Sequence, residues 1–119
     1  MADVATLIQD MLFSSKVREA AKATGATVQS TRDVPALVAA AASAKLVVVD
    51  LRLPHALDAL DALTAAGVTA VTVGFIDHEK TDVMDAARAK GCAQVMAKGQ
   101  FANALPKLLA GLAAAPGPA

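Results

Sequence analysis

Lys45-Leu46-Val47-Val48-Val49-Asp50-Leu51-Arg52-Leu53-Pro54 decides the reading of this chain. Leu46 is followed by three β-branched valines, a run that packs well on a pleated surface and poorly in a helix. The apolar residues are continuous instead of alternating, as expected of a strand covered on both faces of a parallel sheet. The run stops at a carboxylate, Asp50, and Pro54 then marks a loop. In open α/β folds, sites lie outside the carboxyl ends of the strands. Asp50 is therefore the first residue to consider for function.

On either side of this strand, short β-rich runs alternate with alanine-rich helical stretches. Val4 to Ile8 supply strand one. A helix is expected over about residues 15–24, where Phe13, Val17, Ala20, Ala21 and Thr24 recur at helical spacing, with Ser14 or Ser15 as N-cap and Gly25 as the stop. Residues 26–30 form strand two, and Asp33 caps the next helix, with Pro35 in its first turn and Val34, Leu37, Val38 and Ala41 along its buried stripe. Helix three covers about 55–66, with Leu57, Leu60 and Leu63 on one side, His55 near its cap and Gly67 at its end. Strand four is expected at 68–73, helix four at 81–90 before Gly91, and strand five at 93–97. The last helix carries Phe101, Leu105, Leu108, Leu109 and Leu112 as its apolar stripe. Pro106 conflicts with a helix interior, so regular helix is expected from about Asn103, or with a kink at Pro106. Five βα units make a three-layer α/β sandwich. Residues 1–114 read as one domain and 115–119, Ala-Pro-Gly-Pro-Ala, as a flexible tail.

Composition removes several function classes. Lys+Arg and Asp+Glu balance at 11 each among 119 residues, so no basic excess points to nucleic acid. There is no Trp or Tyr, which removes the usual sandwich for a base or a flavin ring. No apolar run reaches the roughly 20 residues that span a bilayer, and the start lacks a basic region before an apolar one. Cys92 is the single cysteine, which excludes an internal disulfide and suits a reducing, cytoplasmic setting. One Cys and two His at scattered positions do not make a zinc site. No nucleophile–base pair for an enzyme is visible.

Two segments carry a family resemblance. Leu46 to Pro54 resembles the third strand and following loop of bacterial response-regulator receiver domains, with an acid at the strand end and a proline four residues later. Gly91-Cys92-Ala93-Gln94-Val95-Met96-Ala97-Lys98 is similar to their fifth strand, with a lysine seven residues after a helix-ending glycine. The resemblance implies a flavodoxin-like sheet in strand order 2-1-3-4-5, with Asp50 as phosphoacceptor and Lys98 contacting its carboxylate or a phosphoryl group. Asp10 would join Asp50 in holding Mg²⁺, which favours carboxylates and water. Asp77 and His78, after strand four, fall on the same rim. It also implies a protein partner, either a histidine kinase or a downstream effector, and a contact face on helix four, strand five and helix five that also serves dimers. Met84, Arg88, Met96 and Phe101 belong to that region.

The departures are as specific. Receivers carry two adjacent acids after strand one, where this chain has Gln9-Asp10 or Asp10-Met11, so the Mg²⁺ site is expected to be weak. The hydroxyl expected at the end of strand four is absent from Val73-Gly74-Phe75, and Gly99 replaces the proline after the lysine. The expectation is a divergent receiver, or pseudo-receiver, that acts by protein contact, binds neither nucleic acid nor membrane, and is not an enzyme. The alternative is a flavodoxin-like domain that takes a small ligand in the same strand-end crevice.

Overall fold

A computed structural model describes residues 2–114 of the chain. The tail expected at 115–119 lies outside the described residues. Five strands and five helices alternate: β1 (Val4–Leu7), α1 (Met11–Thr24), β2 (Val28–Thr31), α2 (Val34–Ala41), β3 (Leu46–Asp50), α3 (Ala56–Ala65), β4 (Val71–Ile76), α4 (Thr81–Ala89), β5 (Gln94–Ala97) and α5 (Lys98–Ala114). All neighbouring strands run parallel, in the order β2-β1-β3-β4-β5. Strand β3 sits at the centre and is buried along its whole length, as its unbroken apolar run requires.

The sheet divides two cores. On one face Leu37, Val47, Val49, Leu60 and Leu63 pack beneath α2, α3 and α4. On the other, Val4, Val17, Val48, Phe75, Phe101 and Leu109 pack beneath α1 and α5. Alternate residues of β3 thus serve opposite cores, which explains why Leu46 to Val49 are all apolar ahead of the terminal Asp50.

Three elements differ from the sequence expectation by three residues or more, each for a local reason. Helix α1 begins a turn before Ser15 because Asp10 is the N-cap: its Oδ1 accepts the Leu12 and Phe13 N–H groups at 2.8 and 3.2 Å. Strand β4 lies three residues later than expected. The Val68 N–H closes α3 by donating to the Leu63 carbonyl, and the ladder begins only where the Val71 N–H reaches Lys45. Helix α5 starts at Lys98, directly after β5, and contains Pro106. That proline is exposed, so water can serve the acceptor that its missing N–H leaves.

Two helix ends match the expectation. Asp33 caps α2 through Ala36 N–H at 2.8 Å, and Gly25 ends α1 with φ 77°. His55 precedes α3 but makes no side-chain cap; its carbonyl accepts the Ala59 N–H at 3.0 Å. No helix among the described residues is long and apolar enough to cross a membrane.

Candidate functional site

Because the strands are parallel, their carboxyl ends gather on one edge. Asp50 ends β3, Asp77 follows β4, Lys98 follows β5, and Asp10 stands three residues beyond β1. The topology therefore brings these four residues to one rim. The side-chain pairing, however, is not the one expected.

Asp50 is held by Arg52. Arg52 Nε donates to Asp50 Oδ1 at 2.8 Å, Nη2 donates to Oδ2 at 2.8 Å, and the Arg52 backbone N–H reaches Oδ1 at 3.0 Å. The same Nη2 donates to Asp10 Oδ2 at 3.2 Å. One guanidinium thus joins the ends of β1 and β3. It also lies over the Phe13 and Phe75 rings, 5.5 and 5.6 Å from their centroids, where a cation meets the negative faces of the π-systems. Those rings stack at 4.8 Å, and Phe75 stacks in turn on Phe101 at 4.5 Å. The α1 N-cap Asp10, the β3 terminal Asp50, and aromatics from α1 and β4 therefore converge on Arg52.

Lys98 turns to a different acid: its Nζ lies 2.7 Å from Asp77 Oδ1. Among the described residues no ion pair joins Lys98 to Asp50. Asp77 follows β4, the strand next to Lys98, whereas both Asp50 oxygens are taken by Arg52 from the loop after β3. His78 lies exposed in the turn before α4. Met96 and Phe101, in the region of the expected contact face, belong to the core at 6 and 0% exposure. Met84 is half-buried, and Arg88 is exposed and pairs with Asp85 at 3.1 Å.

The electrostatics follow these pairs. The Phe13 N–H and, beyond it, the Arg52 guanidinium hold the Asp10 carboxyl below its ordinary 3.8, against the upward pull of desolvation. The Lys98 ammonium does the same for Asp77. Hydrogen bonding to Asp50 raises the already high Arg52 pKa, so its charge is permanent. Burial pushes the Cys92 thiol up to about 11, the behaviour of an inert core cysteine.

The strand-four position also has a packing reason for lacking a hydroxyl. A Cβ on Gly74 would meet Leu51 Cδ1 at 2.7 Å and Cγ at 2.9 Å. The strand itself ends at Ile76, which is aliphatic and 4% exposed.

Asp10 and Asp50 do converge, as a shared Mg²⁺ would require, but the site does not fit that ion while Arg52 is in place. Mg²⁺ needs oxygen ligands at about 2.0–2.1 Å and retains several waters. Here the facing carboxylate oxygens share one guanidinium nitrogen, and a divalent ion would sit against a fixed positive charge. Among the described residues no three His, Cys, Asp or Glu side chains are grouped to hold a metal.

Arg52 was not identified as a site residue from the sequence. The available signal was a cation two positions beyond a buried acid, but loop residues at that spacing have no fixed geometry. Met11 and Leu12 were missed too. They stand 80 and 63% exposed beside Asp10, an apolar pair on the rim.

No family model and no curated protein matches this sequence. Its fold is similar to solved receiver domains. The receiver domain of NtrX from Brucella abortus matches with a TM-score of 0.78 and 17% identity, over 96% of this chain and 100% of that one. The signal receiver domain of the response regulator NarL from Mycobacterium tuberculosis gives 0.76 and 16%, over 97% and 98%. A response regulator receiver domain from Rhodospirillum rubrum gives 0.74 and 16%, over 95% and 94%. At these identities the likeness establishes the fold.

Proposed function

We propose that this chain is a pseudo-receiver: a cytoplasmic signalling domain that works by binding a protein partner, with Asp50 a compromised phosphoacceptor. The observation that carries this reading is the hold of Arg52 on both Asp50 oxygens. A carboxylate that is to attack a phosphoryl group needs a free oxygen with room for in-line approach, and cations placed to neutralise the transferred charge. The Asp50 side chain is 3% exposed and its lone pairs face a bidentate guanidinium. Lys98, the second cation of the expected pocket, is engaged with Asp77. The readout is compromised as well, since Gly74 and Ile76 offer no hydroxyl to follow a phosphoryl group.

The partner is a protein, either a histidine kinase or a downstream effector. Exposed Met11 and Leu12 put apolar surface on the rim, and the open edge of β5 with Arg88 on α4 forms part of the α4–β5–α5 face, the proposed face for a partner or a second copy. Catalysis, nucleic acid and membrane play no part in this reading. The second reading, a small ligand at the same rim, draws on a crevice of about 390 Å³ whose lining includes Leu51, Arg52, Asp77, Lys80, Asp82 and Val83. Its charged lining is balanced, Arg52 and Lys80 against Asp77 and Asp82.

The test is affinity capture from the source cells with wild type and Asp50→Asn, followed by native mass spectrometry. The pseudo-receiver reading expects one protein partner held by both forms. A partner lost in Asp50→Asn, or a small molecule retained by the purified domain with no protein captured, contradicts it.

A further inference from the structure

We infer that Arg52 is a built-in cation, filling the place between Asp10 and Asp50 that a divalent ion would bridge, so that the strand ends are held without metal and a metal site opens when Arg52 is removed. The inference rests on reading this rim as the site of a receiver-like domain, but not on any partner or on phosphorylation.

The bridging geometry is specific. Arg52 Nη2 contacts Oδ2 of both acids, at 3.2 and 2.8 Å, so a single nitrogen lies on the path between β1 and β3. The guanidinium is fixed from three directions: the Asp50 fork, the Asp10 contact, and the faces of Phe13 and Phe75. A side chain so constrained loses little further entropy in holding both acids. The charge count agrees. Two carboxylates and one guanidinium leave one negative charge at the rim, whereas two carboxylates alone would leave a nearly buried Asp50 uncompensated. Loss of Arg52 therefore makes an unpaired, oxygen-rich pair of ligands, the chemistry that Mg²⁺ and Mn²⁺ accept.

The experiment is Mn²⁺ titration followed by paramagnetic broadening of backbone amides, on wild type, Arg52→Met, and Arg52→Met combined with Asp50→Asn. In wild type, the amides of residues 10–13 and 50–53 should broaden no more than those of scattered surface acids. In Arg52→Met they should broaden selectively, at Mn²⁺ concentrations about tenfold lower, as for a newly opened carboxylate pair. The added Asp50→Asn change should abolish this. Selective broadening of these amides in wild type overturns the inference, as does its absence in a folded Arg52→Met. Should Arg52→Met not fold, Arg52→Gln replaces it, and thermal melts of wild type decide independently. A Tm unaffected by exchanging EDTA for millimolar Mg²⁺ supports a built-in cation, and a Tm that Mg²⁺ raises contradicts it. Each of these results is independent of which protein the domain binds.

Discussion

Arg52 encloses Asp50: it donates to one carboxylate oxygen through Nε and its own backbone N–H, and to the other through Nη2, all within 3.0 Å. The two residues are separated by Leu51 alone, which packs inward at 4% exposure while its neighbours face each other on the rim. The carboxylate that the sheet delivers to its carboxyl edge is thus neutralised by the loop that follows it.

Truncating Arg52 leaves Asp50 buried without a counter-charge. Arg52→Ala should destabilise the fold by about 2–4 kcal/mol, below the ~3–5 of a fully buried pair because the Arg52 side chain keeps contact with water. Asp50→Asn should cost less, since Arg52 retains Asp10. Urea melts of the two variants give the order, and equal costs would show that the fork is not what supports the rim.

Gly74 is fixed by close packing. Gly74→Ala should destabilise by about 1–3 kcal/mol, the usual cost of overpacking, because the new methyl meets Leu51. In a double-mutant cycle with Leu51→Ala the two penalties should add to less than their sum. Strict additivity would place the origin of the penalty elsewhere.

Acid should loosen the rim. Asp10 and Asp77 titrate below 3.8 when folded, so the unfolded chain binds more protons in acid. Their contribution is complete above the unfolded carboxylate range near pH 4 and is lost as pH falls through the lower folded values. The urea midpoint of Asp10→Asn should therefore fall less steeply below about pH 4 than that of wild type. Parallel slopes would remove Asp10 from the account.

Helix α5 separates a deep row from a flanking one. Leu105 and Leu109 are buried, while Leu108 is only partly so. Leu109→Ala should cost roughly 2–5 kcal/mol. Leu108→Ala, expected from the sequence to cost the same, should cost roughly 1–2, in line with its partial burial. Denaturant melts that reverse this order would mean the helix is rotated.

The sheet was legible because its information is local and periodic. Val47, Val48 and Val49 announce a covered strand, and Gly25, Gly67 and Gly91 end helices at φ 77°, 71° and 96°. The gathering of Asp10, Asp50, Asp77 and Lys98 at one edge then follows from parallel βα units, and the strand order from the receiver resemblance. The pairing among those charges was not legible. Whether Lys98 turns to Asp50 or Asp77, and whether Arg52 folds back or extends to solvent, depends on rotamers and on rings brought in by Phe13 and Phe75. Those contacts join residues far apart in sequence, and no spacing encodes them. The boundary of β4 failed for a related reason: residues 68–70 are apolar enough to read as strand, but the Val68 N–H is used to close α3.

The most direct test of the central claim is intact-mass analysis after incubation with acetyl phosphate and Mg²⁺. Wild type should keep its unmodified mass, because the Asp50 oxygens stay engaged with Arg52. Stoichiometric addition of one phosphoryl group, lost in Asp50→Asn, would contradict it and make Asp50 a working phosphoacceptor.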